Sequence, residues 1–327
     1  EKKVNEFLNG LAQKVSRNNE PIQALDSLLL TDPSMNQEQS ENMRKFIERT
    51  SHSAPDLGLF IHDGIQIGLL LNLAEERGLS LDPKLAAQAR EWVEQQFHVI
   101  WNSGNSLVRY NGDSSLSTYA QAAVVLTAGD KKLSALQSEA LKSLERLREE
   151  TIPESGLPKL YNYTPQPQRK DATVTSSAGR AVTAHLALYR NASQENKSSE
   201  ARSLLETVAV FESHFPELFE LPSAGRTHDR HPLGQGMAAY YGFGNIPFVA
   251  DALGDLSRDK SLSDSDQAKV KQLIERTTQR LYQLLNSEGL IENNTHTPLV
   301  EIGHYNLLAG IALRKLERLN SGERGER

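Results

Sequence analysis

The 327-residue sequence predicts an all-α fold, an α/α toroid (barrel) of about five to six helical hairpins. The first observation behind this prediction is that two kinds of helical stretch alternate along the chain. One kind is apolar and nearly uncharged, and the other is charged with a single apolar face. The apolar stretches also recur at intervals of roughly 55–65 residues, which is the length of a helical hairpin with its connections. Such a period indicates a repeat architecture in one domain.

The apolar stretches are the predicted inner helices of the ring. They are rich in Ala, Gly, Leu and Val, and a helix that is hydrophobic nearly all round is buried on several sides. In a closed ring an inner helix contacts both the outer layer and its inner neighbours. The five stretches are Leu57–Glu76, Ser117–Ala128, Ser176–Arg190, Gly234–Leu256 and Gly303–Leu319. We expect the side chains of Leu69, Val124, Ala184, Ala250 and Leu308 to be buried.

The charged stretches are the predicted outer helices. One begins after Asp82, with Pro83 at its first helical position, and in each the apolar residues lie three or four apart. Their apolar faces include Leu85, Trp92 and Val93; Leu136, Ala140, Leu144 and Leu147; Leu204, Leu205 and Val208; and Val270, Leu273, Ile274 and Leu281.

The chain is predicted to be a single toroid domain, residues 1–327. Residues 1–35 form a leading helical segment that is available to complete a sixth hairpin, residues 36–319 hold the repeated hairpins, and residues 320–327 form a disordered tail. The alternative to a closed ring is an open helical solenoid or an irregular bundle. Double burial of the inner helices favours closure.

Several outer-to-inner connections share an opening pattern. Gly104–Asn111, Gly156–Asn162 and Gly289–Asn293 each read as Gly, an apolar residue, a short extended piece and then Tyr or Asn. We expect strand to be limited to short pieces near Leu107–Tyr110 and Leu157–Tyr161. With these segments the chain resembles the α/α toroids of the terpenoid-cyclase, prenyltransferase and complement-type thioester-domain group, in which an extended segment begun by glycine precedes each inner helix.

The catalytic residues of that group are missing from this chain. The zinc site of the prenyltransferases and the thioester motif both need a cysteine, and the sequence contains none. The aspartate run of the cyclases has one near match, Asp264–Ser265–Asp266, which is predicted to cap an outer helix. Their repeated Gln/Trp segments are also absent, since the only tryptophans are Trp92 and Trp101. The resemblance therefore implies the architecture alone.

Composition excludes several further classes of function. The net charge is −6 and no Lys/Arg-rich run occurs, so a nucleic-acid-binding surface is not expected. No stretch approaches the roughly 18 consecutive apolar residues of a membrane span. The lack of cysteine excludes disulfides and thiolate metal sites. Together with a first residue that is not methionine, it favours an extracytoplasmic location, periplasmic or secreted.

The candidate binding site is the mouth of the ring at the amino ends of the inner helices. Converging helix dipoles there favour anionic or hydroxyl-rich ligands. Polar side chains on otherwise apolar helices must find partners or face a cavity, so the alternative is that each caps a helix or bonds a nearby loop. We expect an anionic, peptide or carbohydrate ligand and no cofactor. The predicted binding residues are Asp63, Tyr119, Arg180, His231, Gln235, Tyr240 and His304.

The densest polar cluster, Arg226–His231, has the composition of a metal site without its spacing. His228 and His231 with Asp229 do not follow an established zinc pattern. We therefore expect no metal, and interpret the cluster as a polar loop that meets a carboxylate or phosphate.

Two functions remain open from the sequence. The first is a ligand- or partner-binding toroid of unassigned activity. The alternative is a carbohydrate-active α/α-barrel enzyme, a glycoside hydrolase or polysaccharide lyase, in which separated carboxylates and a proton-transferring side chain act on a sugar. Its candidate catalytic residues are Asp63, Asp113 or Asp171 with His231, His304 or Tyr240. The opposing interpretation is that Asp113 belongs to a turn and Asp171 caps a helix.

Overall fold

The computed structural model describes residues 118–128, 132–152, 156–161, 174–215 and 235–284, with residue 71 and scattered helical positions within 83–94 and 309–321. Among these residues every regular element is helical, which confirms the all-α prediction. A 3-10 turn, Lys159–Tyr161, lies between the second and third helices. The helices are α1 Thr118–Leu126, α2 Ala135–Glu149, α3 Val174–Arg190, α4 Lys197–Ser213, α5 Gln235–Arg258 and α6 Asp264–Gln283.

The chain divides into two compact units, and the boundary between Ser143 and Leu144 falls within α2. The prediction of one domain therefore stays a prediction. In the first unit, α1 is the predicted inner helix, and Val124 is completely buried. The Gln137 side-chain amide donates hydrogen bonds to the Val124 carbonyl and the Thr127 hydroxyl, which joins α2 to the end of α1.

In the second unit the inner helices run parallel to one another. Thr183 of α3 contacts Asn245 of α5, and further along both helices Arg190 contacts Asp255. The residue numbers therefore increase in the same direction on both helices. The same order holds between α5 and the helical residues within 309–321, where Lys315 contacts Asp251 and Leu319 is the nearest neighbour of Gly254. The paired residues are 65 and 64 positions apart, in agreement with the repeat period of the sequence.

The outer helices α4 and α6 repeat this parallel arrangement. Arg202 of α4 lies 3.9 Å from Asp266 near the start of α6, and further along Glu212 contacts Arg280 at 2.7 Å. Short connections at 191–196 and 259–263 join each inner helix to the outer helix that follows it. Inner and outer helices therefore alternate along the described part of this unit, as the sequence predicts.

The carboxylates at the start of α6 have the predicted capping role. The Ser263 hydroxyl accepts a hydrogen bond from the Asp266 backbone N–H and caps the helix, while Asp264 and Asp266 lie in its first turn. Negative charge at this end is favourable because the helix dipole places partial positive charge there. The run Asp264–Ser265–Asp266 is therefore a helix start.

Burial agrees with the predicted inner layer, whereas the strand expectation needs a correction. Val124, Ala184 and Ala250 are at most 1% exposed, while Leu69 and Leu308 lie outside the described residues. Near 157–161 the structure has one bridge, between Thr151 and Pro158, followed by the 3-10 turn. The bridge lies between two hydrogen bonds, from the Ile152 N–H to the Leu157 carbonyl and from the Lys159 N–H to the Glu150 carbonyl, and the pairing ends because the chain turns into the 3-10 helix at Lys159. The segment Leu107–Tyr110 lies outside the described residues.

The packing of α3 on α5 depends on a close approach at Gly179. A Cβ atom built on Gly179 would lie 2.9 Å from the Asn245 Cβ, a separation that real side chains do not adopt. Gly254 on α5 is different, since its Cβ would lie 3.7 Å from the nearest atom, the Leu319 Cδ1. The two inner-helix glycines therefore have different roles.

We expect Gly179→Ala to lower the free energy of unfolding by about 1–3 kcal/mol, because the added methyl group forces α3 and α5 apart. Gly254→Ala is the matched control and is expected to stabilise by up to about 1 kcal/mol, since alanine favours the helix. Urea denaturation of both variants measures the difference. Equal effects would contradict the close approach.

Candidate functional site

The two ends of the inner helices differ in the connections that reach them. At their carboxyl ends, the connections to the next outer helices are short, at 191–196 and 259–263. At their amino ends, the segments that precede them are longer in sequence, at 150–173 before α3 and 214–234 before α5, and most of these residues lie outside the described ranges. Long connections supply variable binding groups on a rigid scaffold. The amino ends are therefore the candidate site.

The carboxyl ends are joined by the chain's own ion pairs. The Arg190 guanidinium donates to Asp255 at 2.7 Å, and the Lys315 ammonium donates to Asp251 at 2.5 Å. Burial alone would raise the pKa of Asp251, but the positive charges of Lys315, Arg190 and Arg258 hold that pKa below its usual value. Asp251 is therefore an ionised structural partner of its neighbours.

A second cluster lies at the turn from α3 to α4. The Lys197 ammonium lies 3.6 Å from the centre of the Tyr189 ring and donates to the Tyr189 carbonyl at 2.7 Å, and burial lowers its pKa. The Tyr189 hydroxyl donates to Asp259 at 2.7 Å. Burial, and then the hydrogen bond to Asp259, raise the pKa of this tyrosine. These polar groups bind one another.

At the amino-end half of α3, Arg180 is buried, with 2% of its surface exposed. Its guanidinium donates to the Tyr161 carbonyl at 3.4 Å and so joins α3 to the 3-10 turn of the preceding connection. Tyr161 is itself buried. Burial raises the pKa of Tyr161, opposed by a side-chain hydrogen bond with Thr207. Arg180 therefore holds the connection in place beneath the candidate site.

One turn further along α3, a polar contact lies within the interface with α5. The Thr183 hydroxyl is within hydrogen-bonding distance of the Asn245 side-chain oxygen at 2.5 Å and of the Gly179 carbonyl at 3.2 Å. Thr183 and Asn245 are both at most 1% exposed. This contact therefore sets the register between two inner helices.

The described structure covers four of the seven predicted binding residues. Tyr119 is half-buried in the first turn of α1, Gln235 begins α5, and Tyr240 lies in the second turn of α5. Arg180 and the two α5 residues belong to parallel helices, so they lie towards the same end of the second unit. Asp63, His231 and His304 lie outside the described residues, as do Asp113 and Asp171. The seven-residue site stays a prediction.

The predicted absence of a metal site is likewise untested, because the cluster 226–231 lies outside the described residues. Within the ranges that are described, no group of three or more His, Asp or Glu side chains could hold a metal ion. No helix in these ranges is long and apolar enough to cross a membrane.

Sequence reasoning did not select the polar residues that organise the inner layer, among them Thr183, His185 and Asn245. Thr183 and His185 interrupt the apolar run Ala178–Leu188, and this interruption was the available signal. For Thr183 the partner could not be read from the sequence, since Asn245 lies 62 residues away.

Comparison with known proteins shows the fold. No protein-family model matches the sequence, and no curated protein is similar to it at a significant level. The structure is similar to the GH76A alpha-1,6-mannanase from Salegentibacter sp. HEL1_6, with a TM-score of 0.61 and 12% identity, covering 96% of this chain and 99% of the mannanase. An inactive variant of that enzyme, in complex with alpha-1,6-mannotriose, is similar over the same shares of both chains, with a TM-score of 0.61 and 13% identity.

These similarities confirm the predicted α/α toroid (barrel). Both structures are of a mannanase, and not of a terpenoid cyclase, a prenyltransferase or a thioester domain. The resemblance inferred from the sequence is therefore confirmed at the level of architecture alone.

The burial of Arg180 gives a stability prediction. We expect Arg180→Ala to lower the free energy of unfolding by about 2–4 kcal/mol, because it removes packing and leaves the buried Tyr161 carbonyl without this donor. Arg202→Ala is the control, since its side chain is 62% exposed, and should change stability by less than about 0.5 kcal/mol. Chemical denaturation measures both. An unchanged midpoint for Arg180→Ala would instead favour a side chain that lines an open cavity.

Proposed function

We propose that this chain is a carbohydrate-active α/α-barrel protein that binds a glycan at the amino ends of its inner helices and cleaves it as a glycoside hydrolase or polysaccharide lyase. A location outside the cytoplasm, where polymeric glycans occur, belongs to the same proposal. The observation that carries it is the similarity, over nearly the whole of both chains, to a mannanase structure that contains a bound mannotriose.

The difference between the two helix ends supports the location of the site. Ion pairs and short turns occupy the carboxyl ends of α3 and α5, whereas long connections arrive at their amino ends. Glycan sites combine polar groups with aromatic faces, and the predicted set contains both. Its members are Asp63, Tyr119, Arg180, His231, Gln235, Tyr240 and His304. In this set Arg180 supports the site from beneath.

The catalytic carboxylates of this chain must be arranged differently from those of the mannanase. The inactive variant of that enzyme carries asparagine in place of two consecutive aspartates. No two aspartates are consecutive anywhere in the present sequence. An acid and a base would therefore come from separate connections. The candidates are Asp63, Asp113 and Asp171 as carboxylates, with His231, His304 or Tyr240 as proton-transferring partners.

The proposal is tested with a panel of oligosaccharides that includes alpha-1,6-mannotriose as a neutral probe and trigalacturonate as an anionic one. We expect binding of at least one of them with a Kd between about 1 µM and 1 mM, measured by calorimetry. Release of reducing ends identifies a hydrolase, and absorbance of unsaturated sugars identifies a lyase. If no glycan in a broad panel binds at millimolar concentration, the proposal is wrong.

Aspartate variants identify the catalytic groups. Asp63→Asn, Asp113→Asn and Asp171→Asn each keep the size of the side chain and remove its charge. We expect at least two of them to lower the rate by about 100-fold or more while leaving the unfolding midpoint unchanged. Asp264→Asn is the control, because Asp264 is exposed in the first turn of an outer helix. Equal activity in all four variants would contradict the assignment.

The second candidate function is glycan binding without cleavage. The observation that favours it is the absence of consecutive aspartates, since the same fold persists without that pair. Binding of an oligosaccharide with no product after long incubation, and with unchanged affinity in the Asp113 and Asp171 variants, would support the binding function over the enzyme.

A further inference from the structure

Three residues that oppose helix formation lie close together in the middle of α5. They are Gly242, Gly244 and Pro247, within a helix that runs from Gln235 to Arg258. Proline is the least favourable residue in a helix interior, because it lacks the N–H and its ring clashes with the preceding turn. Glycine is the next least favourable, because its backbone loses the most freedom. We call residues 242–247 the weak stretch of α5.

The weak stretch is specific to α5 among the six helices α1–α6. The helix α5 is the only one of the six with a proline inside. The helices α1, α2, α4 and α6 contain no glycine either. The neighbouring inner helix α3 contains one, Gly179, which is required for the close approach to α5. Packing of an inner helix therefore does not in general require these residues.

Pro247 interrupts the hydrogen bonding of α5 at one point. It has no N–H, so the Phe243 carbonyl one turn earlier cannot accept the bond that residue 247 would otherwise donate. The proline ring also crowds that carbonyl, and it disfavours the helical conformation at the residue before it, Ile246. Sharp bends in helices occur at proline and at glycine. The backbone of α5 is therefore easiest to bend in the weak stretch.

The second segment of α5, residues 248–258, is fixed by its contacts. Asn245, within the weak stretch, is 1% exposed and contacts Thr183 of α3, so it fixes the point at which α5 can bend. After it, Val249 and Ala250 are at most 1% exposed. The two aspartates of this segment form the ion pairs with Lys315 and Arg190 that join the carboxyl ends. This segment therefore belongs to the packed scaffold.

The first segment of α5, residues 235–241, lies at the end where the candidate site is predicted. It begins with Gln235 and includes Tyr240, which are two of the predicted binding residues. The sequence before it, 214–234, is longer than the turn 259–263 that follows the helix. One helix thus joins the candidate site to the scaffold, with the weak stretch between them.

We propose that the weak stretch is a hinge, at which the first segment of α5 bends relative to the second and closes on a ligand at the candidate site. Hinges are a few positions that absorb a change in backbone angles while the parts on either side stay intact. Bending here breaks no hydrogen bond from residue 247, because proline donates none. The closing on a ligand rests on the proposed function, whereas the bend itself does not.

Spin labels measure the bend directly. The chain contains no cysteine, so two introduced cysteines are the only sites for a thiol-reactive label. Met237→Cys labels the first segment, and Arg258→Cys labels the end of the second, where the side chain is 54% exposed. Gln279→Cys, at an exposed position of α6, is the shared reference. Pulsed electron paramagnetic resonance gives the distribution of distances for each pair.

Without ligand we expect a broad distribution between positions 237 and 279 and a narrow one between 258 and 279, because only the first segment moves. Pro247→Ala restores the missing N–H and should narrow the first distribution to the width of the second. Gly244→Ala serves as a second variant if Pro247→Ala does not fold. Gly254→Ala is the matched control on the same helix and should change neither distribution, since its added Cβ lies 3.7 Å from the nearest atom.

Addition of alpha-1,6-mannotriose, or of whichever oligosaccharide of the panel binds, should narrow the distribution between 237 and 279 with Pro247 in place. The hinge is overturned if the two ligand-free distributions are equally narrow, or if Pro247→Ala and Gly244→Ala leave the first one unchanged, since either result indicates a fixed bend. A bound glycan that leaves the first distribution broad overturns the closing. If no glycan binds, the proposed function fails, and the ligand-free comparison alone decides the hinge.

Discussion

The arrangement of the described helices depends on how closely α3 approaches α5. Gly179 has no Cβ, and this lets the α3 backbone approach Asn245 within a distance that any other residue would prevent. The short separation brings the Thr183 hydroxyl to the Asn245 side chain, and about two turns later the Arg190 guanidinium to Asp255. One missing methyl group therefore sets the spacing and register of two inner helices. The outer helices follow, because each is joined to its inner helix by a short turn.

Parallel inner helices give the second unit two unlike ends. At the carboxyl ends, the two acidic side chains of α5, Asp251 and Asp255, have the cationic partners Lys315 and Arg190, and Asp259 just after α5 accepts from the Tyr189 hydroxyl. At the amino ends the chain arrives through long connections, and Arg180 holds one of them by its carbonyl. The ion pairs fix the scaffold at the carboxyl ends. In binding proteins a rigid scaffold usually supports loops, and the loops carry the binding residues.

The layers could be predicted from the sequence because burial on several sides leaves a strong compositional signal. The predicted inner stretch Gly234–Leu256 and the helix Gln235–Arg258 differ by one residue at the start and two at the end. The contacts between layers could not be predicted, because each joins residues from different repeats. Arg180 illustrates the limit. A polar residue on an apolar helix indicates either a cavity or a hydrogen-bond partner. Arg180 donates to the Tyr161 backbone carbonyl, and because every residue has a carbonyl, the sequence could not identify this acceptor. The strand expected near Leu157 was wrong because the chain turns into a 3-10 helix directly after a single bridge.

The comparison with the mannanase separates what the fold requires from what the chemistry requires. The ring similar to the mannanase persists at 12% identity, so its packing does not require that enzyme's residues. The carboxyl ends cannot host a new activity without breaking their ion pairs. The amino-end connections carry no such ion pairs among their described residues other than those of Glu150. Function is carried by sites on a fold, and not by the fold. The segments 150–173 and 214–234, which precede α3 and α5, contain the predicted site residues Asp171 and His231, so the site that we propose would lie where these ion pairs do not constrain the sequence.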